Sequence, residues 1–261
     1  MKEGTGEAGW DDLTRELDAW LAEGLIATLW WRDDDATGVT DALNTMLEIS
    51  ENTETPIAMA VIPARAGNDL RNRIIRHKRA DVLQHGFAHI NHEPEGCKKS
   101  EFGAGRNIEQ VQSELRQGRD MLSGWGSFLP VFVPPWNRMD SRLLEFLPKL
   151  GIRGISSFKA RSAACPVPGL LGVNTHVDII KSLDGGRYFI GVGPAIQAII
   201  DHLSSRRLGH VDRDEPSGIL THHLDHNDAS WRFLERVFRL VGGHPAGRWV
   251  SALEIFNAKA V

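Results

Sequence analysis

The chain has 261 residues, 30 Lys+Arg against 34 Asp+Glu for a formal charge of −4, and 11 histidines against 2 cysteines. Its 41 % apolar and 25 % charged residues exclude a disordered chain, and the weak negative charge argues against a nucleic-acid-binding protein. A chain of this length needs neither disulfide nor structural metal to fold, so any metal is expected to be catalytic, and the histidines are the feature to explain.

The first ten residues have no apolar segment of the kind that directs export. Trp10, Leu13, Leu17, Trp20 and Leu21 recur at helical spacing behind Asp11 and Asp12. Leu25–Trp31 reads as a buried strand running into Arg32-Asp33-Asp34-Asp35. A helix near Val39–Ile49, a strand Ile57–Ile62, a polar helix Leu70–His77 and a strand Val82–Gln84 follow. Ile108, Val111, Leu115 and Leu122 mark a helix, and Val131–Val133 a strand stopped by Pro134-Pro135. Leu143, Leu144, Leu147 and Leu150 predict another helix, ended by Gly151, before a strand Gly154–Ser157. Lys159–Gly172 reads as a long loop. Later strands are expected at Leu171–Thr175, Ile219–Thr221 and Trp249–Ser251, with helices opened by Pro194 and running from Phe233 to Val241. Gly185-Gly186 and Gly191-x-Gly193 read as turns, because the third glycine of a dinucleotide fingerprint is Ile196.

Short apolar strands alternating with helices imply a parallel sheet, closed as a (β/α) barrel or open and doubly wound. With no linker in view, residues 1–261 read as one domain, residues 1–24 carrying an N-terminal helix packed on it. No apolar run approaches the ~20 residues of a membrane helix. Cys97 and Cys165 read as unpaired thiols, and a cytoplasmic location is expected.

In parallel α/β folds chemistry gathers at the carboxyl ends of strands. Asp33, Asp34 and Asp35 follow the first strand; His85, His89 and His92 the third; Pro135, Trp136, Asn137 and Arg138 the fourth; His176 and Asp178 a later one; His222, His223 and His226 another. The remaining histidines, 77, 202, 210 and 244, read as surface residues. A helical turn would set His85 and His89 on one side, where two imidazoles chelate a divalent ion and an Asp adds an oxygen. Position 86 is Gly, so the H-E-x-x-H of zinc proteases is absent. Each cluster alone has a plain reading, capped or exposed histidines and helix-capping acids; a metal between them explains both. Trp30, Trp31, Trp136 and Trp231 read as packing before sugar stacking.

In their order these segments resemble the polysaccharide deacetylase (NodB-homology, carbohydrate esterase 4) superfamily. Trp31-Arg32-Asp33-Asp34 is similar to its T-F-D-D motif, His85 to His89 to its H-[ST]-x-x-H, Val133-Pro134-Pro135-Trp136-Asn137 to its R-P-P-Y-G, and Leu220-Thr221-His222 to its L-x-H. The resemblance implies a distorted barrel of seven or eight β/α units and one divalent metal, Zn first, with Fe, Co, Ni or Mn as alternatives. It implies Asp34, His85 and His89 as ligands, Asp33 as general base, His222 as general acid, and Pro135 and Trp136 at the oxyanion or substrate. Asp35, His92, Arg138, His176, Asp178 and His223 would support ligands or substrate. Val133 stands where the family has the arginine that orients the base, leaving Arg32, Arg138 or Arg153 to replace it. Ser-Phe-Lys-Ala-Arg stands in place of the family's D-x-x-D-W, with Asp178 the nearest carboxylate for the acid.

The implied activity is metal-assisted hydrolysis of an N-acetyl or related acyl group on an oligosaccharide, amino sugar or small amide. Neither nucleic acid nor membrane is an expected partner. The alternatives are another metal-dependent barrel enzyme, an isomerase or phosphoesterase, and a degenerate family member that binds without turnover.

Overall fold

The apolar run after the first helix becomes the axis of the sheet. In the computed structural model, which describes residues 8–183 and 186–257, the chain order begins α1 (Trp10–Ala22), β1 (Ala27–Ala36), α2 (Asp41–Asn52), β2 (Ile57–Val61), α3 (Asn68–Ile75), β3 (Ala80–His85), α4 (Ile108–Leu122), β4 (Phe128–Val133). It continues β5 (Gly154–Ile155), β6 (Leu171–Gly172), β7 (Val177–Asp178), β8 (Ile180–Leu183), β9 (Gly186–Phe189), α5 (Val192–Arg207), β10 (Ser217–Thr221), α6 (Asp228–Gly243), β11 (Gly247–Trp249), α7 (Ala252–Asn257). The main sheet runs β6-β5-β4-β3-β2-β1-β10-β7, with β11 also on β1. Every pairing in it is parallel, and the sheet curls into a distorted (β/α) barrel. Among the described residues the β8–β9 hairpin pairs antiparallel.

The two faces of β1 go to different cores, as strand alternation requires. Leu29 and Trp31 join the layer between sheet and helices, with Met59, Val82, Ile219, Val237 and Phe238. Trp30 faces the barrel interior, with Ala58, Ala60, Leu83, Val131 and Val133. The alanines opposite Trp30 let the interior fill with side chains. From the far end, Phe256 of α7 meets Trp30 edge-on at 6.4 Å. Outside the sheet, α1 buries Leu13, Leu17 and Trp20 beside α5, and Arg207 of α5 bonds Glu16 at 2.9 Å and Glu23 at 2.8 Å.

Several elements differ from expectation, among them the strands expected at Gly154–Ser157 and Trp249–Ser251, which are Gly154–Ile155 and Gly247–Trp249. The helix expected over 143–150 is a pair of 3₁₀ turns, Ser141–Leu143 and Pro148–Leu150, because Pro148 cannot donate within a helix; it does end at Gly151, in the left-handed conformation (φ 78°). The helix placed at Pro194 starts at Val192, capped by Gly191. The strand expected at Leu171–Thr175 retains two residues as β6, while β7, β8, β9 and α7 are too short or too polar for periodicity to signal. Gly185, read as part of a turn, lies outside the described residues. Both cysteines are free and exposed. Among the described residues no helix is long and apolar enough to cross a membrane.

Candidate metal and catalytic site

The carboxyl ends of β1, β3, β4 and β10 surround one cleft of about 320 Å³, lined by Asp34, Asp35, His85, His89, Trp136 and His222 among others. The register of β1 decides which acid goes where. Alternation along β1 sends Arg32 and Asp34 inward with Trp30, and Asp33 outward with Trp31. A bulge follows: Asp33 pairs with Met59 and Ala36 with Val61, so three steps on β1 match two on β2. Within it Asp35 takes φ 74°, a left-handed conformation that Asp tolerates better than most residues, and its carboxylate turns back to the cleft.

Asp35, not Asp34, therefore meets the imidazoles. Its Oδ1 lies 3.2 Å from His85 Nε2 and 3.2 Å from His89 Nε2. The three residues each offer a ligand atom within 4.8 Å of the others. Asp35 Oδ1 is buried without a well-directed hydrogen bond. His85 Nδ1 is 3.0 Å from the Val133 carbonyl, which makes it the donor there and leaves Nε2 as the free acceptor. A buried carboxylate oxygen with spare acceptor capacity and a free imidazole nitrogen are what a divalent cation requires, so the donor set fits one. Burial works against charge on Asp35, yet the adjacent His85 holds its pKa well below the usual carboxylate range. Burial also opposes charge on His85, but the Asp34 charge and the contact with Asp35 raise its pKa. His89 is shifted down by burial and then by His85.

Asp34, the expected third ligand, is instead gripped by Arg32. Arg32 Nε and Nη2 donate to its two oxygens at 2.9 and 3.0 Å. Arg32 is fully buried and is fixed by Ser156 Oγ at 2.6 Å, the Ser157 carbonyl at 3.2 Å and Asn137 Oδ1 at 2.8 Å. Such a forked, charge-assisted pair is the strong kind of hydrogen bond and sets the plane of the carboxylate. Of the three arginines named as substitutes for the missing one, Arg32 makes this contact; Arg153 is exposed, and Arg138 reaches the Lys99 carbonyl at 3.2 Å.

The two histidines are not on a helical turn. β3 ends at His85, and the chain reverses through Gly86 (φ 60°) and His89 (φ 57°), bringing the rings to 5.1 Å. Glu101 holds this loop, its carboxylate accepting from Phe87 N at 3.1 Å and Ala88 N at 2.7 Å. A Cβ at position 86 would lie 2.1 Å from Glu101 Oε2, which explains why glycine stands where the resembled motif has Ser or Thr. Nothing in the sequence marks Glu101, 12 residues beyond His89 in an irregular segment.

After β4, Pro135 is buried against Gly86, while Trp136 (φ 54°) and Asn137 (φ 55°) turn left-handed. Two non-glycine residues in that region cost about 1–3 kcal/mol each. The bond from Asn137 N to the Pro134 carbonyl (2.9 Å) and the grip of Arg32 on the Asn137 side chain offset that cost. The Trp136 ring stands 4.3 Å from that of His89.

His222 reaches the cleft from the end of β10. Asp178, on the neighbouring β7, feels its charge, although burial is the larger influence and raises the Asp178 pKa. The β8–β9 hairpin adds Ser182 and Arg187 to the cleft, and Arg187 pairs with Asp225 at 2.6 Å.

Asp33 and His223 are buried away from the cleft, bonded to each other at 2.6 Å. His92 is exposed, on a segment tied by its backbone to Ser100. His176 sits at the opposite end of the barrel, stacked at 3.5 Å on His202 and 3.3 Å from Glu215. The four histidines read as surface residues divide: His210 is exposed, His244 and His202 are half-buried, and His77 is buried on the Leu47 carbonyl at 3.0 Å.

A curled parallel barrel of this kind defines a class of fold, and known structures share that fold. No family model matches the chain, and no curated protein matches it by sequence. Solved structures do. A candidate polysaccharide deacetylase from Mycobacterium smegmatis superposes with a TM-score of 0.61 at 15 % identity, over 89 % of this chain and 90 % of that one. A family 4 acetyl xylan esterase from Clostridium thermocellum, solved with cobalt, gives 0.57 at 11 % identity over 90 % and 92 %. A family 4 carbohydrate esterase from Streptomyces lividans, solved with acetate, gives 0.53 at 17 % identity over 83 % and 88 %. The fold of this chain is that of the polysaccharide deacetylases and family 4 carbohydrate esterases.

Proposed function

We propose that this chain is a divergent polysaccharide-deacetylase-type hydrolase, metal-dependent, that removes an N-acetyl or related acyl group from a carbohydrate-like or small amide substrate. The observation that carries the reading is the convergence of Asp35, His85 and His89 on one point, with the arginine-clamped Asp34 and His222 on the same cleft. In this reading the roles first assigned to Asp33 and Asp34 move one residue along the chain. Asp35 joins His85 and His89 as the metal ligands, and Asp34 is the general base.

A divalent ion held there supplies a Lewis acid for the acyl oxygen and lowers the pKa of water. The chain's own groups do the rest. Asp34, its plane set by Arg32, takes the proton of the attacking water. His222 gives a proton to the leaving nitrogen. Trp136 and the β8–β9 hairpin wall the cleft and orient the substrate. Two imidazoles and a carboxylate suit Zn, and also Fe, Co, Ni or Mn.

The test is metal analysis of the purified protein, followed by acetate release from a panel of N-acetylated sugars and amides. One metal per chain and acetate from at least one compound are expected. A protein that takes up no metal at any pH defeats the reading.

A further inference from the structure

We propose that Asp33 is the positioning residue of His222, acting through the residues on either side of it. The inference rests on the reading of His222 as the general acid. Asp33 is fully buried, on the face of β1 turned from the cleft. Its Oδ2 accepts from Thr221 Oγ1 at 2.7 Å and from the His223 backbone N–H at 2.9 Å. Its Oδ1 is 2.6 Å from His223 Nδ1. One carboxylate thus grips the residue before His222 and the residue after it.

The rest of the network has a fixed sense. Trp31 Nε1–H donates to Thr221 Oγ1 at 2.8 Å, so the Thr221 hydroxyl must direct its own proton to Asp33. The parallel register sets Asp33 beside Thr221, so the grip follows from strand pairing. It falls where β10 ends and the chain turns into the 3₁₀ segment His223–Asp225, a junction where free rotation would swing the His222 ring. Neither Asp33 nor His223 lines the cleft, so neither touches substrate in this arrangement. What they control is the direction in which His222 leaves the strand, and an error of about 1 Å in a proton donor costs on the order of 100-fold.

The experiment uses the metal-loaded full chain and two leaving groups. p-Nitrophenyl acetate expels a stable anion and needs no proton from the enzyme, whereas an N-acetyl amine needs one. Asp33→Asn is expected to lower kcat on the amide about 100-fold with KM little changed, and to leave ester turnover within about two-fold. His223→Ala should follow it, His223→Asn should restore the amide rate by returning a donor near Nδ1, and Thr221→Val, which keeps its shape, should lose about ten-fold. Bound metal is unchanged throughout. Equal losses on amide and ester, or no loss on the amide, overturn the proposal. If the wild type cleaves neither substrate, the deacetylase reading falls, and a crystal structure of Asp33→Asn then decides the positioning role: a His222 ring displaced within an intact cleft supports it, an unmoved ring refutes it.

Discussion

The barrel carries a histidine cluster at each end, and the two are built to opposite purposes. At the mouth, His85, His89 and Asp35 aim atoms at a common point that opens to the cleft. At the floor, His176 and His202 lie face to face, 3.5 Å apart and 20° from coplanar. Their neighbours tie strands together: Arg206 donates to the Thr28 carbonyl at 2.7 Å and Ser217 Oγ at 2.9 Å, and Glu215 accepts from Arg161 N and Asn174 N, both at 2.8 Å. A count of histidines cannot separate the two ends. Spare acceptor capacity directed at one point separates them, and it is visible only when directions are known.

The sharpest way to break the contrast is at the mouth. Asp34→Asn should cut kcat by about 10³-fold with bound metal retained, since the asparagine keeps its shape but cannot take a proton, and should lower Tm, since the buried Arg32 loses its charged partner. Steady-state kinetics beside metal analysis checks this, and a large loss of metal would instead make Asp34 a ligand. Asp35→Ala should weaken metal binding by at least about 100-fold with the fold intact, read by titration calorimetry. At the floor the expected signs reverse. Arg206→Ala should leave turnover per folded molecule unchanged and lower stability by about 2–4 kcal/mol, because buried acceptors lose their donor; a denaturant titration measures it.

The smallest effect concerns pH. Burial, helped by the charges of His176 and Arg206, pushes the His202 pKa down from 6.5 to about 2. The unfolded chain binds a proton there near pH 6.5 and the folded chain does not, so this contribution is complete above that pH and is lost as pH falls toward 2. The stability slope from this group is at most about 1.4 kcal/mol per pH unit. His202→Gln should flatten the slope between pH 6 and 4 without altering metal affinity, and an unchanged slope would place the titration elsewhere.

Much of this was legible from residue order. The runs 27–31, 57–61 and 131–133 are buried on both faces as parallel strands are, and residues after the first and the last of them line the mouth. The register of the three aspartates was not legible, because it depends on a bulge and a positive φ at Asp35 that no local pattern announces. Simple alternation does tie Asp34 to Arg32 and Trp30, and following it from the buried tryptophan leads to the clamped pair. His176 misleads for another reason: it precedes β7 instead of following a strand, so it belongs to the floor. The hairpin that brings Arg187 is polar and short, and Glu101 acts from a segment without periodicity.

Arg32 and Asp34 are two residues apart on one strand, joined by a forked pair. Where the resembled motif takes its arginine from the end of another strand, this chain carries clamp and acid in a single tripeptide. The arginine that grips Asp34 therefore comes with β1 itself, and Ser156, Ser157 and Asn137 from later segments hold that arginine in place. Position 133 is released from that duty: the Val133 side chain fills the barrel interior and its carbonyl holds His85. A chain so arranged keeps its acid aimed without an arginine at position 133, and the tripeptide Arg-Asp-Asp becomes a short signature by which other sequences using the same solution can be recognised.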